Sequence, residues 1–176
     1  MFAWINLLFL CCTLSPALCC DWLKHYGHLS NSTRSLLHVM GDPLTEQTSP
    51  VHFPSRLYSN IRKAGVESQL SFVRDSLKMI LDLYRHDNHS SFTWDTDKYD
   101  GFLRSVARQL DGLNSCVPPN RAPARGLRRY YRKLRRTLYR TGGGAESWEL
   151  IRKETKRHLD QLDLLIAVIR NHFTAV

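Results

Sequence analysis

Apolar residues step along this chain at intervals of three and four, the repeat of one helix face. No stretch alternates convincingly with the period of two that a half-buried strand needs. The longest stripe is the last. Between Glu146 and His172 it passes through Trp148, Ile151, Leu159, Leu162, Leu165, Ile166 and Ile169, with Thr155 in its one gap. No Gly or Pro interrupts the segment, so it predicts one helix of about seven turns. The other face carries Arg152, Lys153, Lys156, Arg157 and Asp160.

The preceding chain supplies partners for that stripe. Trp22, Tyr26, Leu29, Thr33, Leu36, Leu37 and Met40 predict a helix over Asp21 to Met40, weakened by Gly27 and closed by Gly41 as a C-cap. Pro43, Pro50 and Pro54 mark a loop. Ser55 is the candidate N-cap of a short helix bearing Leu57, Ile61 and Ala64, ended by Gly65. Val66 to Arg85 is a second long helix, with Val66, Leu70, Val73, Leu77, Ile80, Leu81 and Tyr84 on its stripe. After the polar run His86 to Ser91, a third begins within Thr93 to Asp97 and carries Tyr99, Phe102, Val106, Leu110 and Leu113. Asp95, Asp97 and Asp100 crowd its start. Tyr99 and Val106 stand where a calcium loop wants oxygen ligands, so these acids read as partners of the helix dipole. A proline-rich linker, Cys116 to Pro123, precedes a shorter helix from Gly126 to Arg140. Its face holds Leu127, Tyr130 or Tyr131, Leu134 and Leu138, and Gly142 to Gly144 end it.

The pattern is all-α: a four-helix bundle with long crossover connections plus additional shorter helices, the architecture of helical cytokines. The first loop is long enough to let the first and second long helices lie parallel. At 176 residues the chain has material for one core.

The net charge of +9 lies in one place. Arg121, Arg125, Arg128, Arg129, Arg132, Lys133, Arg135, Arg136 and Arg140 fall in a segment with no acid, while the rest of the chain balances 16 basic against 16 acidic residues. Residues 5–14 form an apolar run ended by Ser15-Pro16, with Ala17 and Cys19 at the −3 and −1 positions of a cut before Cys20. This predicts a secretory leader over 1–19 and a mature domain over 20–176. A membrane anchor would need about 20 apolar residues, so no stable membrane insertion is expected. Cutting before Cys20 leaves Cys20 and Cys116, which an oxidising compartment would join; a cut one residue later leaves Cys116 alone. Asn31 and Asn88 head glycosylation sequons. His25 with His28, and His86 with His89, have the spacing of metal ligands but no further cluster, so no metal is expected. There is no nucleophile elbow, P-loop or His-Glu-x-x-His, and the chain reads as a non-enzyme without a cofactor.

One segment carries a family resemblance. Tyr130-Tyr131-x-Lys133-Leu134-x-x-Thr137-Leu138, seven residues, then Glu146-Ser147-Trp148 resembles the type I interferon signature of two aromatics, a spaced aliphatic, an aromatic-Leu pair, seven residues and Cys/Tyr-Ala-Trp. Trp148-Glu149-x-x-Arg152-x-Glu154-x-x-Arg157 resembles the start of the interferon C-terminal helix. Cys20-Asp21-Trp22-Leu23 and the cysteine count resemble the two-cysteine group of fish type I interferons. Lys133, Thr137, Glu146 and Ser147 depart from the pattern. Glu146 stands where many members place a cysteine of a second disulfide.

The resemblance implies a Cys20–Cys116 bridge and a secreted, monomeric cytokine. It implies binding to a two-chain class II cytokine receptor, Janus-kinase signalling and antiviral gene induction. One receptor chain would meet the first helix, the first long loop and the last helix, with Arg152, Lys153, Lys156 and Arg157 facing outward; the other would meet the opposite side. Lys153 and Lys156 stand where mammalian members have apolar residues. The alternative function is a secreted cationic host-defence protein acting on anionic membranes or polyanions through Arg121 to Arg140. A patch of Arg125, Arg128, Arg129, Arg132, Lys133, Arg135 and Arg136 makes heparan sulfate a candidate partner. Nucleic acid is not expected, because no reading motif accompanies the charge.

Overall fold

Six helices, and no strand, form among the residues that the computed structural model describes, 20–85, 93–118, 124–140 and 142–174. They are α1 (Asp21–Val39), α2 (Ser55–Ile61), α3 (Val66–Arg85), α4 (Thr96–Cys116), α5 (Arg125–Arg140) and α6 (Ala145–Thr174). The three- and four-residue stripes form the core. Leu37, Met40, Leu70, Val73, Leu77, Ile80, Phe102, Val106, Leu113, Trp148, Ile151, Leu165, Ile166 and Ile169 are all buried.

Named contacts fix the helix directions. The disulfide Cys20–Cys116 joins the start of α1 to the end of α4, with Cα atoms 5.1 Å apart. Gly101, early in α4, lies under Leu36, late in α1. These two helices are therefore antiparallel. Tyr26 bonds Asp163 while Arg152 bonds Leu37, so α1 and α6 are antiparallel too. Tyr84, at the end of α3, receives the Tyr99 hydroxyl from the start of α4 and donates to Thr155 in the first half of α6. Hence α1 and α3 are parallel to each other and antiparallel to α4 and α6, the direction pattern that the long first crossover permits. Thr155, the polar gap in the last stripe, is satisfied by this pairing with Tyr84 at 3.0 Å and by its own bond to the Ile151 carbonyl.

Local signals played different parts from those expected. Asp95 is the N-cap of α4, accepting from the Lys98 amide at 3.0 Å, so it does serve the positive helix end. Pro54, not Ser55, is the residue preceding α2, and no side chain caps that helix. Gly41 is not a left-handed cap: among the described residues only Gly142 and Gly143 have positive φ. The missing side chain of Gly41 is needed for a close approach: a Cβ there would sit 2.6 Å from Cδ1 of Trp94.

The basic helix α5 adds a layer that a simple bundle lacks. Leu127, Tyr130, Tyr131, Leu134 and Leu138 are buried against α3 and α6. Both tyrosines point inward, where one had been expected. Because α5 covers α3, that helix is buried on nearly all sides, including Phe72 and Leu83 outside the expected stripe.

Candidate receptor-binding face

The first half of α6 meets the end of α1 and the loop that follows it. Carbonyls in the last turn of any helix lack intrahelical donors, and here α6 supplies one. Arg152 Nη1 donates to the carbonyls of Leu37 at 3.2 Å and His38 at 3.1 Å, and Nη2 donates to the Asp42 carbonyl. Glu149 pairs with the same guanidinium at 2.6 Å and accepts from Trp94 Nε1. A cation at the negative end of α1 also suits the helix dipole.

The expectation that Arg152 faces outward is therefore corrected: its exposure is 0%. The physical reason is its position, four residues after Trp148 and three before Thr155, on the edge of the buried stripe. There the carbonyls of α1 satisfy its donors.

Lys153, Lys156 and Arg157 do reach the surface, Arg157 most fully. Each is held by a neighbour. Lys153 donates to the Gln47 carbonyl of the loop at 2.8 Å. Lys156 pairs with Asp160 at 2.7 Å, and Asp160 also pairs with Arg34 of α1 at 3.3 Å. The Arg157 guanidinium lies 4.2 Å above the Phe53 ring. Further along the seam, Asp163 accepts from Tyr26, Ser30 and Arg34. Burial, then the bond to Asp163, raises the Tyr26 hydroxyl well above its ordinary pKa, so it stays a donor. Gln161 accepts from Arg62, just beyond α2, at 2.6 Å.

Two members of this face escaped sequence reasoning. Leu164 is 53% exposed, seven residues after Arg157 on the same side of α6. Its signal was available, as a leucine in a long helix that falls off the apolar stripe. Phe53 is partly buried below Arg157 and stacks on Tyr58 at 5.4 Å between ring centroids. A lone loop aromatic gives no periodic signal.

Beneath Phe53 lies an aromatic layer of Tyr58, Tyr130, Tyr131 and His158. His158 Nδ1 is 2.6 Å from the Tyr58 hydroxyl. Burial, with a smaller contribution from the nearby Arg157 charge, pushes His158 down to a pKa of about 3, so it is neutral at physiological pH. Tyr130 donates to Glu154 at 2.6 Å. This layer supports the loop from inside and binds α5 to α6.

The remaining expected sites are placed as follows. Cys20 and Cys116 are bonded to each other. Asn31 is exposed on α1; Asn88 lies outside the described residues. Arg125, Arg128, Arg129, Arg132, Lys133 and Arg136 are exposed on the outer side of α5. Arg135 is half-buried and donates to the Asp82 carbonyl of α3, so it leaves that group. Among the described residues, no helix is long and apolar enough to cross a membrane.

A family model described as the Interferon alpha/beta domain matches residues 24–169. Interferon a3 of Oncorhynchus mykiss is 45% identical over 162 residues, covering 91% of this chain and 92% of that protein. Human interferon omega-1 is 28% identical over 156 residues, covering 80% of this chain and 78% of its own length. The solved structure of zebrafish interferon 1 superposes with a TM-score of 0.75 at 31% identity, over 85% of this chain and 99% of that one. The up-up-down-down bundle, the Cys20–Cys116 disulfide and these matches agree: the chain belongs to the fish type I interferon family, and is a cytokine, not an enzyme.

Proposed function

We propose that this interferon is secreted and brings together the two chains of a class II cytokine receptor, activating their Janus kinases and inducing antiviral genes. The observation that carries the reading is the outer line of α6. Lys153, Lys156 and Arg157 stand there beside the exposed Leu164, braced by the loop at Gln47 and Phe53 and by Arg34 of α1. An accessible leucine among cations whose side chains are already held suits a receptor surface offering an apolar spot with acidic neighbours. Held side chains lose less entropy on binding, and Arg is favoured at binding hot spots. In this reading Arg152 positions the loop and does not touch the receptor.

The second receptor chain would meet the side diagonal to α6, the outer face of α4. A cleft between α1 and α4, lined in part by His28, Leu36, Gly101, Arg104 and Arg108, offers a contact there. Residues 1–19 are read as the secretory leader and 20–176 as the mature domain. The disulfide at Cys20 supports that reading, since such bonds persist in oxidising compartments. Exposed Asn31 is the described candidate for a glycan.

The test is antiviral reporter induction in cells carrying both receptor chains and in cells lacking either. Induction at nanomolar or lower dose in the first and none in the others supports the reading; induction that ignores receptor status overturns it.

A further inference from the structure

Arg125, Arg128, Arg129, Arg132, Lys133 and Arg136 line an open trough of about 530 Å³ along the outer face of α5. All six are exposed, and none pairs with a carboxylate among the described residues. Arg125 with Arg129, Arg128 with Arg132, Arg129 with Lys133, and Arg132 with Arg136 are like charges one helical turn apart, an arrangement that destabilises a helix by repulsion. Burial of the opposite face against α3 and α6 holds the helix in place despite this. A polyanion laid along the trough would relieve the repulsion, and guanidinium groups match the paired oxygens of anionic groups.

We propose that α5 is a docking surface for a highly sulfated glycosaminoglycan of the heparan sulfate type, which retains the cytokine near the cells that secrete or receive it. This goes beyond the receptor reading and uses none of the residues of the α6 face. Two features favour a sulfated chain over a bilayer. A membrane-bound helix must bury an apolar face in lipid, but Leu127, Tyr130, Tyr131, Leu134 and Leu138 are already buried in the bundle. Of the helix's aromatic residues, Tyr139 alone is exposed, which also leaves little for stacking on nucleic-acid bases.

The test uses immobilised heparin and the folded mature protein, with two triple variants that remove equal charge. R129A/R132A/R136A removes three of the six cations that line the trough; K98A/R104A/R108A removes three exposed cations of α4. Wild type should be released only above physiological ionic strength, about 0.15 M. The trough variant should be released below it, and the α4 variant should stay close to wild type. Desulfated heparin should fail to retain wild type. Four results would each overturn the proposal: release of wild type below physiological salt, equal loss in both triple variants, equal retention on desulfated heparin, or tighter binding to phosphatidylserine vesicles than to heparin. The wild-type measurements decide the matter even if a variant folds poorly.

Discussion

Replacing Arg152 tests how α6, the end of α1 and the first loop are joined. Arg152→Met keeps much of the buried stem and removes the charge and donors; Arg152→Ala removes both. In either variant the carbonyls of Leu37, His38 and Asp42 lose a donor, and Glu149 keeps Trp94 but loses its cation. Removing one partner of a buried ionic contact costs about 3–5 kcal/mol. Because Glu149 is itself 20% exposed at its side chain and retains Trp94, the lower part of that range applies, about 3–4 kcal/mol for Met. The Ala variant adds a cavity and should be the worse of the two. For a domain of this size, each kcal/mol shifts Tm by roughly 2–4 °C, so Arg152→Met should melt about 6–16 °C below wild type. Far-UV circular dichroism melts and urea titrations measure it. A Tm within about 2 °C of wild type would refute the reasoning. So would weaker receptor binding with unchanged stability, since Arg152 would then be acting as a contact.

Arg152 also shows where sequence reading stops. The stripes placed all six helices, because burying an apolar face requires its residues at helical spacing, and that spacing is written in the chain. Which side of the stripe an edge residue takes depends on the neighbour across the interface, and the carbonyls of α1 appear in no local pattern. The second apolar line of α3, at Phe72, Met79 and Leu83, was legible in the same periodicity but had no assigned partner until α5 was seen to cover it. The cysteine count could not say which cysteines pair; Cys20 and Cys116 meet because α1 and α4 run antiparallel, a relation written in no local pattern. At the candidate receptor-binding face, the cations of α6 were visible as a polar face, whereas Phe53 and Arg34 joined it only through tertiary contact.

Three further outcomes follow from particular contacts. The Cys20→Ser/Cys116→Ser variant opens a loop with a sequence separation of 96 and should lose about 4–5 kcal/mol of stability by urea denaturation. Gly112→Ala places a Cβ 2.7 Å from Trp22 Cδ1 and 3.2 Å from its Cβ, which cannot swing away, so it should cost about 1–3 kcal/mol; Gly27→Ala enters open space in α1 and should gain about 0.5–1 kcal/mol. His158, with its folded pKa pushed down to about 3, makes the unfolded chain bind more protons between that value and its ordinary pKa of about 6.5. Stability contributed by the neutral ring is therefore full above about 6.5 and falls by about 1.4 kcal/mol per pH unit as pH drops through the window. Asp75, whose carboxyl is raised by burial, works in the opposite sense, so the comparison is with His158→Gln: urea titrations at pH 7 and pH 5 should show a smaller acid loss in the variant, and an equal loss would sink the assignment.

The central claim is that the outer line of α6, not the buried Arg152, makes the receptor contact. Surface plasmon resonance of the receptor chain predicted to meet α6, against wild type, Arg157→Ala and Leu164→Asp, tests it most directly. The account predicts a loss of affinity of about five-fold or more for each variant, the scale of a 1 kcal/mol hot spot, with the fold retained and Arg157→Ala melting no more than about 4 °C lower for its lost contact with Phe53. Wild-type affinity in both folded variants would contradict it.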